Sequence, residues 1–453
     1  MTKLSFNCKV SIDKLPPFWD RSAVFVANIQ SLFFGNQDET ERLRSEVGSL
    51  ESYGGRLIPI LDLLFTRKNN LLVLEKEPDH ILTGYFRGLG LTIPKTRVLP
   101  DHFYTDFPNH PDPEITSFLE DTRNSGAEWL SGYVIDNGLN QLAKLTEKKL
   151  IGSMTGCQRG NNKFLLHQFL VSSNLPTFDC FEARGFKQVS EALGSLLKKG
   201  YRYAVVKAQI GASGIGMHKI DLTAPFSPEF IPEYLFYEGP ALVQGWLDES
   251  VPSVKVIASP SIQLFVDTEV CWLYDLTEQI LSKESIHEGN IAPPPCFEKF
   301  PKIKDLMIHQ AYQVGIWLGK QGYAGTASID FHAITRKDQI EVRVCEINAR
   351  VTGATYPAVL AKRLAPQHRW LMRNVRFSSP LEGAKIVEML KKEGILFLKD
   401  HAEGVLPFNF NMRENGRTVK GQFLFLGEEN SQINGLIKKL EGIFASHGAY
   451  DRD

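Results

Sequence analysis

The stretch ASIDFHAITRKDQIEVRVCEINAR, Ala327–Arg350, reads as two strands around a polar turn. In the second strand Ile340, Val342 and Val344 alternate onto one face, and the same alternation continues through Glu346, Asn348 and Arg350. The spacing thus places a carboxylate, an amide and a guanidinium on the continuation of an apolar face. A carboxylate taken out of water needs a cation or hydrogen-bond donors, because leaving it unpaired costs several kcal/mol. With the turn centred on Asp338, Asp330 falls opposite Glu346. Two carboxylates so placed repel and raise one pKa unless a divalent cation lies between them. The donor set Asp330, Glu346 and Asn348 contains only oxygen ligands, which favours Mg²⁺ or Mn²⁺ over zinc. The competing reading of the same residues is a structural ion pair between Arg350 and one of the acids.

Upstream, YRYAVVKAQIGASGIGMHKI reads as strand, glycine loop, strand, with Lys207 near the end of the first strand. GASGIG, Gly211–Gly216, has neither the Walker A order nor the Rossmann G-x-G-x-x-G order, and no helix follows it. That glycine order argues against a dehydrogenase. A glycine hairpin can still lay its N–H groups over phosphates, with Lys207 as a point charge beside them.

Elsewhere, SAVFVANIQ (Ser22–Gln30) and NLLVLEKEP read as strands flanking a helical stretch, the pattern of an open α/β unit. Leu150–Met154 is a further expected strand. Apolar stripes predict helices over NNKFLLHQFL, KQVSEALGSLLKKG and Ile303–Leu318. SPSIQLFVDTEVCWLYDLTEQIL reads as a hairpin. The tail gives helix (Ala384–Glu393), strand (Val405–Asn411), strand (Gly421–Gly427) and helix (Ile433–Phe444), a small α+β unit.

A chain of 453 residues exceeds what one core comfortably serves. Lys+Arg is 51 and Asp+Glu 52, for a net charge of -1, which gives no support for a nucleic-acid or anionic-membrane partner. The start lacks a signal-peptide pattern, and no apolar run approaches the roughly 20 residues of a spanning helix. Six scattered cysteines without a C-x-x-C pair suit a reduced compartment, so the cytoplasm is the expected location.

The ordered set Lys207, Gly211–Gly216, the strand Leu242–Glu249 and D…E-x-N-x-R (Asp330, Glu346, Asn348, Arg350) resembles the ATP-grasp enzymes. ESYGGRLIPILDLL, EINARVTGATYPAVLAKRL and EGVLPFNFNM…GQFLFLG extend the resemblance to the subfamily with a pre-ATP-grasp domain, which includes the peptide ligase of pheganomycin biosynthesis. The implied fold is mixed α/β and α+β. It comprises a pre-ATP-grasp α/β domain (1–150), a two-lobed ATP-grasp domain (151–366, lobes about 151–240 and 241–366) and a small C-terminal α+β domain (380–453).

The resemblance implies a carboxylate–amine ligase that phosphorylates an acid with ATP and lets an amine displace the phosphate. On this pattern Lys163, Lys207, Gly211, Ser213 and Gly214 hold the ATP phosphates. Asp330, Glu346 and Asn348 hold Mg²⁺, and Lys207 and Arg350 are catalytic. The hinge, Gln244-Gly245-Trp246-Leu247 with Glu249, lacks the family's usual paired acids but remains the expected adenine and ribose contact. Ser261, Arg350, Gly353 and Thr355 are the expected substrate contacts. The partners implied are a small carboxylate and an amine, an amino acid or peptide. Members of the family are often homodimers, and the sequence shows no heptad that decides the state. The alternatives are an ATP-grasp phosphotransferase, which generally needs a catalytic histidine, and a nucleotide-binding protein without turnover. His218, His287, His309 and His332 are isolated, and the acid set is intact.

Overall fold

The computed structural model describes residues 6–12, 14–47, 53–99, 113–212, 214–225, 227, 230–281 and 287–448. After a short strand β1 (Asn7–Val10), the chain builds a five-stranded parallel sheet from β2 (Ala23–Val26), β3 (Leu71–Leu74), β4 (Lys95–Val98), β5 (Trp129–Gly132) and β6 (Lys149–Leu150). Their spatial order is β4-β3-β2-β5-β6. Helices α1 (Gln37–Val47), α2 (His80–Gly88), α3 (Pro113–Asn124) and α4 (Asn137–Thr146) connect these strands. β2 is buried along its whole length, as a parallel strand covered on both faces must be. The strand expected over Leu150–Met154 is only Lys149–Leu150. Ser153 instead caps a helix, its Oγ accepting from the Gly156 N–H, and α5 (Met154–Asn161) begins there.

Helix α6 (Lys163–Ser172) follows after the single residue Asn162, which caps it through the Leu165 N–H. Next comes a four-stranded antiparallel sheet in the order β7-β10-β8-β9, made of β7 (Cys180–Ala183), β8 (Tyr203–Ala212), β9 (Ile215–Asp221) and β10 (Ala241–Gly245). Helix α7 (Phe186–Lys198) covers it through Val189, Ala192, Leu193 and Leu196; of the stripe Val189, Leu193, Leu196 and Leu197 expected from the sequence, Leu197 is exposed and Ala192 takes the place on the buried face.

A ten-stranded sheet carries the rest. Strands β11 (Val254–Ala258), β12 (Pro260–Val266), β13 (Val270–Leu281), β14 (His287–Ala292), β15 (Gly325–Arg336) and β16 (Gln339–Asn348) form one part, and β1 joins β13. Helix α8 (Lys302–Lys320) packs on it with Ile303, Met307, Val314 and Leu318. After helix α9 (Thr355–Leu364), β17 (Arg369–Glu382) pairs with β14 and carries β19 (Arg417–Gly427) and β18 (Gly404–Met412). Helices α10 (Gly383–Lys392) and α11 (Asn430–Ser446) accompany these last strands. The long strand β17 is absent from the sequence reading of the tail. It runs across position 380 and ties the C-terminal strands into the same sheet. Among the described residues no helix is long and apolar enough to cross a membrane.

Candidate active site

The hairpin β15–β16 turns at Lys337 and Asp338, both with positive φ (48° and 63°), and pairs Arg336 with Gln339. Two such residues make a two-residue turn whose twist matches the strands. Carried along without interruption, this register would place Asp330 opposite Cys345. The observed partners are Phe331 with Val344 and then Asp330 with Glu346, so Cys345 is an extra residue, a β-bulge. The acids are opposite each other as expected, but the turn is centred between residues 337 and 338 and the bulge supplies the missing step.

The bulge corrects the face as well. Cross-strand partners share a face. Val342 and Val344 therefore lie with Ala333 and Phe331, in the core cluster that includes Ile303 and Met307 of α8. Glu346 and Asn348 lie with Asp330 and Ser328 on the opposite face. The expected continuation of the apolar face through Glu346 fails because one inserted residue reverses the alternation.

On that second face Asp330 Oδ1 accepts from Ser261 Oγ (2.7 Å), and Oδ2 accepts from Asn348 Nδ2 (2.9 Å). Gln279 Nε2 lies 3.4 Å from Oδ2. Burial first, and then the neighbouring Glu346, push the Asp330 pKa up to about 6. Burial also acts to raise Glu346, but Lys163 and Lys207 outweigh it and hold this carboxyl below its ordinary value. Lys163, at the first turn of α6, brings Nζ to 3.1 Å from Glu346 Oε2 and 3.0 Å from the Gly211 carbonyl oxygen. Lys207 donates to Gln244 Oε1 (3.2 Å), and its pKa is lowered by burial. A cavity lined by Lys163, His167, Cys180, Lys207, Gln244 and Cys345 opens between α6 and the two sheets.

Arg350 is held from α5. Its NH1 donates to Asn161 Oδ1 (3.1 Å), which also accepts from the Ala349 N–H (3.0 Å). Asn161 Nδ2 donates to the carbonyl oxygens of Cys157 (2.9 Å) and Ala349 (3.3 Å). Nothing in the motif D…E-x-N-x-R names Asn161. Its only mark in the sequence is the NN pair that opens the helical stretch NNKFLLHQFL.

The glycine hairpin joins β8 and β9 through residues 213 and 214, and Ser213 lies outside the described residues. Gly214 has φ of 83°. At Gly211 a Cβ would come 2.6 Å from the Ile215 carbonyl oxygen, so the close approach of the two strands needs glycine there. Beneath the hairpin, Glu39 of α1 is fully buried, and a Cβ on Gly216 would come 2.6 Å from its Oε1. Among the described residues neither carboxylate oxygen of Glu39 has a hydrogen-bond partner, while the backbone at Glu238 and Ile210 acts on the Glu238 carboxyl. Burial and then Glu238 push Glu39 up to about 8, and burial pushes Glu238 to about 7. The sequence reading missed this pair, since neither residue belongs to a motif.

In the hinge, Trp246 N–H donates to the Tyr203 carbonyl (2.9 Å), and Lys219 Nζ sits 4.2 Å from the Trp246 ring centroid. The Leu247 carbonyl meets His332 Nε2 at 2.8 Å, so that histidine is spent on the hinge. Glu249 Oε1 accepts from the Val256 N–H (3.1 Å) in the middle of β11. Thr355 is fully buried and accepts from the Thr352 N–H (3.0 Å), while Thr352 Oγ1 donates to Gln263 Oε1 (3.2 Å). Gly353 lies in the turn between them, half-buried.

Among the described residues no group of three or more His, Cys, Asp or Glu gathers as a metal cage. Two facing carboxylates with one amide fit instead a hard cation that completes its shell from water and phosphate, as magnesium does. The lift of Asp330 by Glu346 is the repulsion such an ion relieves.

No family model matches the chain. Over 213 residues it is 24% identical to "[Butirosin acyl-carrier protein]--L-glutamate ligase" of Niallia circulans, a match that covers 46% of this chain and 47% of that protein. The chain thus spans about half the length of the curated relative it matches. Among solved structures it is similar to N5-carboxyaminoimidazole synthetase of Staphylococcus aureus, with TM-score 0.52 and 12% identity, covering 96% of this chain and 100% of that one. It is similar also to biotin carboxylase of Campylobacter jejuni in a complex with an ATP ligand, with TM-score 0.55 and 10% identity, covering 93% and 90%. The likeness to both runs over more than nine-tenths of this chain, so the chain shares their fold, the mixed α/β ATP-grasp architecture expected from the sequence.

Proposed function

We propose that this protein is an ATP-dependent ligase that joins a carboxylate to an amine through an acyl phosphate, releasing ADP and phosphate. The observation that carries the reading is the facing pair Asp330 and Glu346 with Asn348, ringed by Lys163, Lys207 and Arg350. Two acids without a cation would repel, and three cations around two acids leave positive charge over for a triphosphate. The similarity to a ligase of L-glutamate and to an enzyme solved with an ATP ligand supports it.

In this reading Lys163 and Lys207 bind phosphate oxygens, and the N–H groups of the hairpin from Gly211 through Ser213 and Gly214 cover them. The hinge main chain at Gln244, Trp246 and Leu247 faces adenine, and the second oxygen of Glu249 takes a ribose hydroxyl. Asp330, Glu346 and the Asn348 amide oxygen would hold Mg²⁺, which neutralises the phosphates when bound. Arg350, kept in place by Asn161, stabilises charge on the transferring phosphoryl group and then on the tetrahedral intermediate. Ser261 fixes Asp330 at the edge of the acid substrate's site, and the turn Thr352–Thr355, whose own Thr352 and Thr355 N–H groups close it, offers the N–H groups of Gly353 and Ala354 to a carboxylate. The amine attacks the acyl carbon, the carbon–oxygen bond to phosphate breaks, and the amine's proton leaves to solvent. The division into units 1–150, 151–366 and 380–453 belongs to the same proposal, with the cytoplasm as location.

The test is ADP release over a panel of amino acids and short peptides, with products read by mass spectrometry. An amide formed in step with ADP is the expected result. A stable phosphorylated compound as sole product would make the protein a phosphotransferase, and nucleotide binding without any turnover would make it a binding protein.

A further inference from the structure

The five-stranded parallel sheet reverses its direction of growth between two neighbours. The chain runs outward from β2 through β3 to β4, then resumes at β5 on the other side of β2. In open α/β sheets, ligands sit outside the carboxyl ends of the strands where the order reverses, since the two loops there diverge and leave a crevice. In this chain that place is a cavity of about 570 Å³. Sites for small molecules usually measure about 300–1,000 Å³.

Gln30 and Ser31 reach it from the segment after β2, Asp136 from the turn after β5, Thr40 and Arg44 from α1, and Gln158 from α5. Among the described lining residues, two anions, Glu41 and Asp136, accompany one cation, Arg44, and amides and hydroxyls make up most of the remainder. A nucleotide would want a surplus of cations, and an apolar ligand would strand the amides. A zwitterion suits the balance. Arg44 Nε donates to Gln30 Oε1 (3.3 Å), and Asp136 Oδ1 accepts from the Leu139 N–H (2.9 Å). The crevice also adjoins the machinery already described. Gln158 stands about one helical turn, roughly 5 Å, before Asn161, the residue that holds Arg350.

We propose that this crevice binds the amine-bearing substrate, an amino acid or dipeptide whose carboxylate pairs with Arg44 and whose amine end points along α5 toward Asn161 and Arg350. The inference rests on the ligase reading. Hydroxylamine separates the two, because it is small enough to attack an acyl phosphate without a binding site of its own. The assay supplies each of the twenty amino acids and its N-acetyl form as the acid. Either hydroxylamine, or the twenty amino acids singly and glycylglycine, serves as the amine. Thr40→Trp fills the crevice, and Arg44→Glu, on an exposed side chain, reverses its cation without touching the core. In both variants the kcat/KM for the amino-acid or dipeptide amine is expected to fall at least tenfold relative to that for hydroxylamine. Taking the ratio removes any loss of folded enzyme. An unchanged ratio in both variants overturns the crevice assignment. So does wild-type protein that makes hydroxamate but couples none of the amino acids or glycylglycine. No hydroxamate from any acid overturns the ligase reading itself, and with it the inference.

Discussion

Asp330 faces Glu346 across a hairpin whose own turn would have paired it with Cys345. The extra residue settles which side of the sheet receives the second acid, and so whether the pair exists. Glu346 then stands 3.1 Å from Lys163, on the face away from Val342 and Val344. Changing Glu346 to Gln keeps the shape and an acceptor for Lys163 but removes the charge. Turnover of ATP is expected to fall at least about 100-fold, the scale of removing one charge-stabilising group. The melting temperature should stay within about 3 °C, since the buried lysine retains a hydrogen-bond partner. ADP release and a thermal melt on the same preparation check both. Wild-type-like turnover would contradict the metal role.

Lys207 offers a separate test, because it stands on the other sheet and touches Gln244, not the acids. Lys207→Ala should weaken ATP by about 10- to 100-fold, the loss of one or two charge-assisted hydrogen bonds. Calorimetric titration with ATP reads this directly. An unchanged affinity would remove Lys207 from the phosphate site.

The carboxyls of Glu39 and Glu238 predict a pH dependence of stability. The Glu39 pKa is raised to about 8 from an ordinary value of 4.5, so the folded protein binds this proton more tightly than the unfolded chain. Its contribution is complete below about pH 4.5 and is lost as pH rises through about 8. The groups acting on it are Glu238, Lys163, Arg42 and Asp38. Glu39→Gln removes the titration while keeping the volume. Its melting temperature should decline less than wild type between pH 6 and pH 9, and exceed wild type by a few degrees at the alkaline end. Parallel curves for the two proteins would show that Glu39 keeps its charge.

These three sites differ in how much of them the sequence disclosed. Lys207, Asp330, Glu346 and Arg350 could be singled out in the sequence because residue types of that kind in that order suit phosphate and metal chemistry, and the structure sets the two acids opposite each other. The helices over Phe186–Lys198 and Lys302–Lys320 were legible because one apolar stripe meets one sheet face. The bulge at Cys345 was not, because a single inserted residue leaves no mark in an alternation that reads smoothly through it. Strand β17 escaped because its partners, β14 and β19, lie far away in sequence, and pairing of that kind has no local signature. Glu39 and Glu238 were invisible for the same reason: one stands on helix α1 and the other in the loop before β10, and only the fold brings them together.

Asn161 belongs to this last class and allows the sharpest test, because its parts can be removed separately. Its Oδ1 accepts from Arg350 and from the Ala349 N–H, while its Nδ2 donates to two carbonyls. Asn161→Ala frees the guanidinium and strands a buried N–H, which costs about 1–3 kcal/mol of stability. A misplaced Arg350 should lower kcat by about 10- to 100-fold, since a displacement on the order of 1 Å suffices for that loss. KM for ATP should move less than about threefold, because Asn161 holds the arginine and not the phosphates. Asn161→Asp keeps the acceptor and loses only the donors. It should therefore recover most of kcat while remaining less stable than wild type, as the Cys157 and Ala349 carbonyls lose their partner. A purely structural residue predicts the reverse: kcat per folded molecule near wild type in both variants, with only the melting temperature falling. Steady-state kinetics normalised to active sites, alongside thermal melts of the three proteins, separates a residue that aims Arg350 from one that merely fills the space beneath it.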